Sequence, residues 1–177
     1  MTATTYPDNI TPLNPIGFQF SIQKFPELTY FLQEAQLPSM TLGEAVQVSS
    51  VHDVRLPGEA ITFSDLQITF MVDHKMENYL AIYKWMAALG FPEGHDIFTA
   101  WLANPKNILS PTENAKTMSD TSLTILDANN LPVNTFTFVD CFPTGLSALT
   151  FQSTNTDVQY FQATVTLAYS YYKLTNS

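Results

Sequence analysis

The clearest pattern in the chain is an alternation of apolar and polar residues near its C-terminus. Over residues 161–172 the odd positions are apolar or aromatic, and the even positions are mostly small and polar. Successive side chains of a strand point to opposite faces, so this pattern predicts one strand of about a dozen residues with one wet face. Such a strand would span roughly 40 Å, which suits an antiparallel sheet or a barrel wall.

Shorter alternating or apolar runs predict further strands, at residues 18–22, 66–72, 123–125 and 133–142. A cluster of Asp and Asn at residues 127–130 predicts the turn between the last two. Residues 45–56 are also extended in their pattern, and Pro57-Gly58 is expected to close that run as a turn.

Apolar residues recur at helical spacing between residues 76 and 89, which predicts one α-helix. Asp73 is its expected N-cap, and Gly90 stands where a C-terminal cap belongs. A shorter helical piece is expected at residues 97–103. The predicted fold class is therefore mainly β, an antiparallel β-sandwich or barrel protomer with one α-helix.

The length and charge of the chain restrict its organisation and its partners. A chain of 177 residues fits one domain, expected over residues 1–177. Charged residues are 13% of the chain, about half the usual share, so we expect other copies to cover its surface. The net charge is −9 and the seven Lys and Arg residues are scattered, which disfavours direct binding to nucleic acid or to an anionic membrane.

The candidates for chemistry are few. Cys141 is the only cysteine, so no disulfide or thiolate zinc site forms within one chain, and a buried position is expected for it. His52, His74 and His95 lack the close spacing of a metal site. The sequence contains no nucleophile elbow or phosphate loop. We therefore expect no enzyme activity, no cofactor and no metal.

Targeting signals are also missing from the sequence. Residues 1–16 are polar and contain prolines, so no signal peptide is expected. No apolar stretch approaches the roughly 20 residues of a membrane span. The cytoplasm of the producing cell is the expected compartment.

Long strands with few charges lack the usual protection against edge-to-edge pairing. Closing identical subunits into a ring removes free edges, and stacking rings head to tail gives an open filament. The pattern therefore favours a protein that assembles with itself.

The order of the predicted strands, turns and helix along the chain resembles that of the tail tube protein family of contractile-tailed bacteriophages. The resemblance covers about residues 15–173, and residues 110–120 have no assigned counterpart. It rests on these residues in order: Phe18 and Phe20, Leu37-Pro38, Arg55 with Pro57-Gly58, Phe63 and Asp65, the strand at 66–70, Asp73, Trp85, Phe142-Pro143, Leu146, Leu149, Phe151, and the strand at 165–169.

The resemblance implies a virion tail protein, assembled in the host cytoplasm. Six copies would form a ring with a continuous inner β-barrel, and stacked rings would form the tube through which DNA passes without specific binding. The implied partners are further copies, the tail sheath and the baseplate. Six copies of −9 carry −54 formal charges, which would repel phosphates if they face the lumen. Solubility explains the acidity equally well.

The resemblance also suggests roles for particular residues. The arm at residues 41–56 would reach a neighbouring ring or subunit, and the C-terminal strand would form the barrel wall. The helix would face the sheath with Lys75, Glu77 and Lys84 on its wet side, or simply cover the core. The expected interface residues are Val46, Val48, Val51, Val54 and Leu56, and the expected lumen residues are Gln162, Thr164 and Thr166.

Three alternatives remain open from the sequence. The chain could be a tube-initiating baseplate protein, a tube terminator, or the tube of a related secretion or tailocin system, all with the same fold. It could instead be a monomeric β-barrel that binds an apolar ligand in a cavity lined by Phe18, Phe20 and Phe161. An enzyme would need convergent carboxylates, which a sequence does not reveal.

Overall fold

The computed structural model describes residues 17–48, 50–90, 92, 94–103, 117–152 and 160–176. The polar N-terminal segment at residues 1–16 and residues 104–116 lie outside the described residues. The strands are β1 (Phe18–Ile22), β2 (Leu32–Gln36), β3 (Met40–Gln47), β4 (Val54–Phe63), β5 (Leu66–Met71), β6 (Ser119–Leu126), β7 (Pro132–Leu146), β8 (Gln162–Ala168) and β9 (Tyr171–Asn176). The helices are a 3-10 helix (Pro26–Phe31), α1 (Glu77–Gly90) and α2 (His95–Ala103).

Seven strands form two antiparallel sheets that share β7. The first part of β7 pairs with β6 and β9, and β1 pairs with β6, which gives the first sheet. The last part of β7 pairs with β8, which continues through β5 to β2 as the second sheet. The pairing of β7 shifts close to Asp140, whose φ of 57° is left-handed. A strand that bends at such an irregularity serves both sheets.

The core lies between the inner faces of the two sheets and is closed by α1. Every second residue of β8 is buried, so the alternation predicted from residue 161 is confirmed there. Strand β5, whose apolar run predicted burial on both sides, is likewise buried at every second residue only. Trp85 of α1 is fully buried and donates from its indole nitrogen to the carbonyl oxygen of Thr117 at 2.8 Å. The central residues are Phe20, Ile22, Leu66, Ile68, Phe70, Ile82, Trp85, Leu123, Phe138, Cys141, Ala163, Val165 and Leu167.

The two α-helices lie close to the positions at which the sequence predicts a helix and a shorter helical piece. Helix α1 begins at Glu77, whose backbone N–H donates to the Asp73 carboxylate at 2.7 Å, so Asp73 caps the first turn as expected. Helix α2 begins at His95, two residues before the predicted start. The mainly β, antiparallel fold class is confirmed, but with two α-helices rather than one.

The predicted single strand over residues 161–172 is wrong. Strand β8 ends at Ala168, and β9 begins at Tyr171 and pairs with the first part of β7 instead. Between them the chain crosses from the second sheet to the first, where the N–H of Ser170 donates to the carbonyl oxygen of Val139 at 3.0 Å. The alternation does not continue across this crossing, because Tyr169 and Tyr172, three positions apart, pack against the core whereas Tyr171 is 41% exposed.

The predicted turn at Pro57-Gly58 is also wrong, because both residues lie inside β4. The chain turns at residues 48–53 instead. Proline is tolerated on an edge strand or at a bulge, and β4 pairs with β3 alone and across a register shift. A Cβ atom on Gly58 would lie 2.6 Å from the carbonyl oxygen of Gly43, so glycine is required for this close approach.

Candidate assembly surfaces

Strands β3 and β4 form a two-stranded sheet of their own, which we call the arm (residues 40–63). All described residues from 39 to 57 are exposed. Despite this exposure, the arm is rich in large apolar side chains. They are Met40, Leu42, Val46, Val48, Val51, Val54, Leu56 and Ile61.

The apolar side chains of the arm occupy both of its faces. Val46 stands opposite Arg55, whereas Leu56 stands opposite Ala45, so Val46 and Leu56 point to different faces. Val48 and Val51, near the tip, are 81% and 86% exposed. All five predicted interface residues, Val46, Val48, Val51, Val54 and Leu56, thus lie exposed on the arm, and their contact with another copy stays a prediction.

The base of the arm is fixed to the two sheets. Ser39 and Ser64 bond to each other through backbone and side chain, with the Ser39 N–H donating to the Ser64 hydroxyl at 2.8 Å. Phe63 packs its ring on Tyr172 at 5.3 Å, and the Tyr169 hydroxyl donates to the carbonyl oxygen of Ser64 at 2.9 Å. Burial raises the pKa of Tyr169 to about 12, with the neighbouring Tyr172 adding to the effect. These contacts fix the position at which the arm leaves the two sheets.

The outer face of the second sheet contains the predicted lumen residues Gln162, Thr164 and Thr166. Rows of polar side chains cross it, since β5 pairs with β8 in register and with β2 from Glu34 to Gln36, beyond a register shift. Thr69 and Thr164 share a hydrogen bond of 3.1 Å, and the Gln162 amide donates to Gln33. Among the described residues of this face, Glu34 carries the one charge. That it faces a lumen stays a prediction.

The outer face of the first sheet has similar polar rows, which the sequence analysis missed. Ser21 and Ser122 bond at 2.9 Å, and Thr124 and Thr135 at 3.2 Å. The signal was present as Asp120, Ser122 and Thr124 at alternate positions of β6. Hydroxyl content alone therefore does not distinguish the two outer faces.

A second exposed apolar surface lies where β5 ends, and the sequence analysis did not single it out. Phe31, Phe151 and Phe161 are 40%, 69% and 38% exposed, and the rings of Phe151 and Phe161 are 4.7 Å apart. We call the pair Phe151 and Phe161 the far-end patch. Phe20 is packed in the core while Phe161 is exposed, so these two residues do not line one cavity as the ligand-binding alternative requires.

The titratable groups do not converge on a site. His52, His74 and His95 are exposed, and no cluster of three potential metal ligands occurs in the described ranges. Cys141 is fully buried, as expected, and burial raises the pKa of its thiol to about 12, opposed in part by Thr121. Lys24 lies 5.8 Å from the Trp85 ring, and burial lowers its pKa to about 8. No described helix is long and apolar enough to cross a membrane.

Comparison with solved structures identifies the fold. The chain resembles the cap that terminates the tube of the anti-feeding prophage, with a TM-score of 0.66, 13% identity and full coverage of both chains. A chain of the anti-feeding prophage baseplate gives 0.63 at 16% identity, covering 94% of this chain and 97% of that one. A chain of the sheath–tube complex of an extracellular contractile injection system, PVC, gives 0.59 at 14% identity, covering 95% and 94%.

At the level of sequence, no curated protein matches the chain. A family model for the phage tail tube protein matches residues 4–175, nearly the whole length. The fold, the order of the strands and this match agree. The chain belongs to the phage tail tube protein family.

Proposed function

We propose that residues 1–177 form one domain, that six copies close into a ring, and that the rings stack as the inner tube of a phage tail. The observation that carries the proposal is the arm, which exposes apolar side chains on both faces. A two-stranded sheet alone is marginally stable in water. Fully burying one Val or Leu side chain contributes about 1.5–3 kcal/mol, so cover by another copy would stabilise the arm considerably.

The second sheet is the proposed wall of the inner barrel. Its two edges are β2 and the last residues of β7, and within the described residues each has one strand neighbour there. Pairing one edge with the opposite edge of the next copy would continue the sheet around the ring and remove both free edges.

In this arrangement the lumen is lined by hydroxyl and amide groups. Gln162, Thr164 and Thr166 face the lumen, and Glu34 adds one carboxylate per copy. A DNA-binding surface needs cations to neutralise phosphates. The outer face of the second sheet offers none among the residues described, so DNA would pass without being held.

The partners follow from the remaining surfaces. Helix α1 exposes Glu77, Tyr83 and Lys84, and Lys75 pairs with Glu77 at 3.8 Å just before the helix. This polar surface would face the tail sheath, and the ends of the tube would meet the baseplate and a terminator. The protein acts as a structural part of the virion tail, assembled in the host cytoplasm, with no catalytic step, cofactor or membrane contact.

A second candidate is a terminator or a baseplate protein that initiates the tube. It is favoured by one observation, the fold shared with the anti-feeding prophage cap and baseplate chains. A terminator or initiator needs one stacking surface, whereas a tube protein needs two. The two candidates therefore differ in whether one kind of chain polymerises alone.

Negative-stain electron microscopy of the purified full chain, with mass photometry, tests the proposal. Long hollow tubes at micromolar concentration support the tube protein. Single rings that do not stack support the terminator or initiator. A monomer at every concentration contradicts self-assembly and requires a partner protein for the arm.

A further inference from the structure

Both edges of the second sheet contain one residue more than the strand with which they pair. In β2 the residues on either side of Gln33 pair with adjacent residues of β5, so Gln33 is a β-bulge. In β7 the residues on either side of Thr144 pair with adjacent residues of β8, so Thr144 is a second bulge. Because a bulge turns an edge away from other chains, each edge offers only its straight part for pairing.

Each bulge is held in position by its own side chain. The side-chain nitrogen of Gln33 donates to the Met71 sulfur at 2.6 Å, and the Gln162 amide donates to the side-chain oxygen of Gln33 at 2.6 Å. The side chain of Gln33 thus reaches from β2 across β5 to β8. The Thr144 hydroxyl donates to the carbonyl oxygen of Thr166 in β8 at 3.2 Å.

Beyond each bulge lie three straight residues. In β2 they are residues 34–36, and Pro38, which has no N–H to donate, follows two positions later. In β7 they are residues 145–147, where the N–H of Ser147 donates to the carbonyl oxygen of Thr164 at 2.9 Å. The four strands of the second sheet alternate in direction. The β2 segment of one copy and the β7 segment of the next are therefore antiparallel when the sheet continues between copies.

We propose that the two bulges fix the register of this pairing, so that Ala35 of one copy lies opposite Leu146 of the next. The inference rests on the proposed ring and adds to it the residues that determine how its copies pair. In this register the two straight segments pair over their full length. Both central side chains face the core, since Ala35 lies opposite the buried Ile68 and Leu146 lies opposite the buried Val165.

The neighbouring registers are each disfavoured. A slip of one residue would place core-facing side chains opposite outward-facing ones. A slip of two residues in one direction brings both bulges into the pairing, which disrupts the ladder. A slip of two residues in the other direction brings Pro38 opposite the straight segment of β7, where it supplies no N–H.

Cysteine cross-linking tests the register. A variant carrying both Ala35→Cys and Leu146→Cys is assembled under reduction and then oxidised. Within one chain these positions lie three strand spacings apart, about 14 Å, which is too far for a disulfide. Opposite residues of an antiparallel pair have Cα atoms about 4.5–5.5 Å apart, which suits one. We therefore expect a ladder of cross-linked chains on a non-reducing denaturing gel. The native Cys141 is fully buried, so its thiol does not compete.

The matched control combines Ala35→Cys with Ala148→Cys, two positions further along the chain, and should give no ladder. A ladder from the control pair in place of the first pair overturns the proposed register. Dimers of Ala35→Cys alone indicate that two β2 edges pair, and they also overturn it. Wild-type rings, with neither pair cross-linked in the assembled variants, overturn the inference and leave the proposed function intact. A wild-type chain that never assembles overturns both.

Deletion of Gln33 tests the role of the bulge itself. The deletion leaves Leu32 facing the core and Glu34 facing outwards, because their partners are already adjacent in β5. The edge becomes straight, so more than one register can form. Mass photometry should then show assemblies of several masses in place of a single ring mass. A single ring mass equal to that of the wild type would contradict the role of the bulge.

A milder variant keeps the extra residue and removes only the bonds of its side chain. Gln33→Ala should raise the protein concentration needed for rings by roughly twofold to tenfold, as expected for a lost hydrogen bond. Gln19→Ala is the control, since Gln19 is an exposed glutamine on β1, an edge strand of the first sheet. Equal effects of the two substitutions would show that the side chain of Gln33 has no particular role in pairing.

Discussion

Strand β8 and the arm have similar sequences and opposite environments. Val165 and Leu167 of β8 are 2% and 1% exposed, whereas Val46 and Leu56 of the arm are 53% and 43% exposed. Both segments are strands, but β8 has a strand on each side and a core beneath it, and the arm has one pair of strands alone. Alternation of apolar and polar residues thus predicts a strand, but it does not show whether the same chain or another copy covers the apolar face.

The comparison separates two uses of the same residue types. Apolar side chains of β8 contribute to folding of one chain. In the proposed tube, apolar side chains of the arm contribute to association of several chains. Substitutions in the two segments should therefore change different measurable quantities.

The largest expected effect comes from the core. Leu167→Ala should lower the free energy of unfolding by about 2–5 kcal/mol, because it leaves a cavity among packed side chains. Leu56→Ala is the matched control and should change it by less than about 0.5 kcal/mol. Urea denaturation of unassembled protein measures both. Equal losses would show that the arm is part of the folded core.

The arm should show the reverse behaviour. Val51→Ser should leave the unfolding free energy nearly unchanged but weaken assembly by about 1.5–3 kcal/mol, or about tenfold to a hundredfold in concentration. Mass photometry over a dilution series measures the shift. Assembly at the wild-type concentration would place Val51 outside any interface.

The polar face of β8 sharpens the comparison further. Thr164→Lys should make tubes bind DNA inside the lumen, in a salt-sensitive way, and protect it from nuclease. Thr124→Lys on the first sheet is the matched control, since each threonine shares a similar hydrogen bond with a cross-strand threonine. If only the Thr124→Lys tubes protected DNA from nuclease, the outer face of the first sheet, and not that of the second, would line the lumen.

The base of the arm should respond more weakly. Tyr169→Phe removes the hydrogen bond to the Ser64 carbonyl oxygen and should cost about 0.5–1.5 kcal/mol of stability. The ring packing with Phe63 and Phe138 is retained. Hydrogen exchange should speed up more at residues 63–65 than in β5. Unchanged exchange at residues 63–65 would show that this hydrogen bond does not anchor the arm.

The smallest effect concerns pH. Lys24 has a pKa of about 8 in the folded chain, below its ordinary value of 10.5, because burial disfavours its charge. Between these values the unfolded state binds more protons, so stability should rise with pH above about 8. Lys24→Met should flatten this rise. Thermal unfolding between pH 7.5 and 9.5 measures it.

The sequence predicted the elements whose cause is local. Strands β1 and β5 and helix α1 follow from periodicity, and Asp73 caps α1 because its carboxylate meets a free N–H. The break at Tyr169 and Ser170 was missed because aromatic residues continue through it to Tyr171 and Tyr172, although in β9 Tyr172 packs against the core and Tyr171 is exposed. The prediction of a turn at Pro57-Gly58 was wrong because these residues stay extended where β4 lies against β3 at Gly43. A partner strand is not visible in the local sequence.

The candidate surfaces were predictable in part. The arm valines stood out because their segment is extended and apolar. The far-end patch did not, because Phe151 and Phe161 are ten residues apart in sequence and their rings meet only in the folded chain. Exposure of a side chain depends on tertiary packing, which no local pattern encodes.

The pairing order of the strands also sets the order of events during synthesis. The body needs partners far apart in sequence, such as Ser21 with Ser122, 101 residues away, and Thr69 with Thr164, 95 residues away. Such distant pairings fold slowly, typically in milliseconds to seconds, whereas a hairpin forms in about 1–10 μs. The residues of the arm are thus synthesised before those of β8, so the exposed apolar hairpin precedes the two sheets that anchor it.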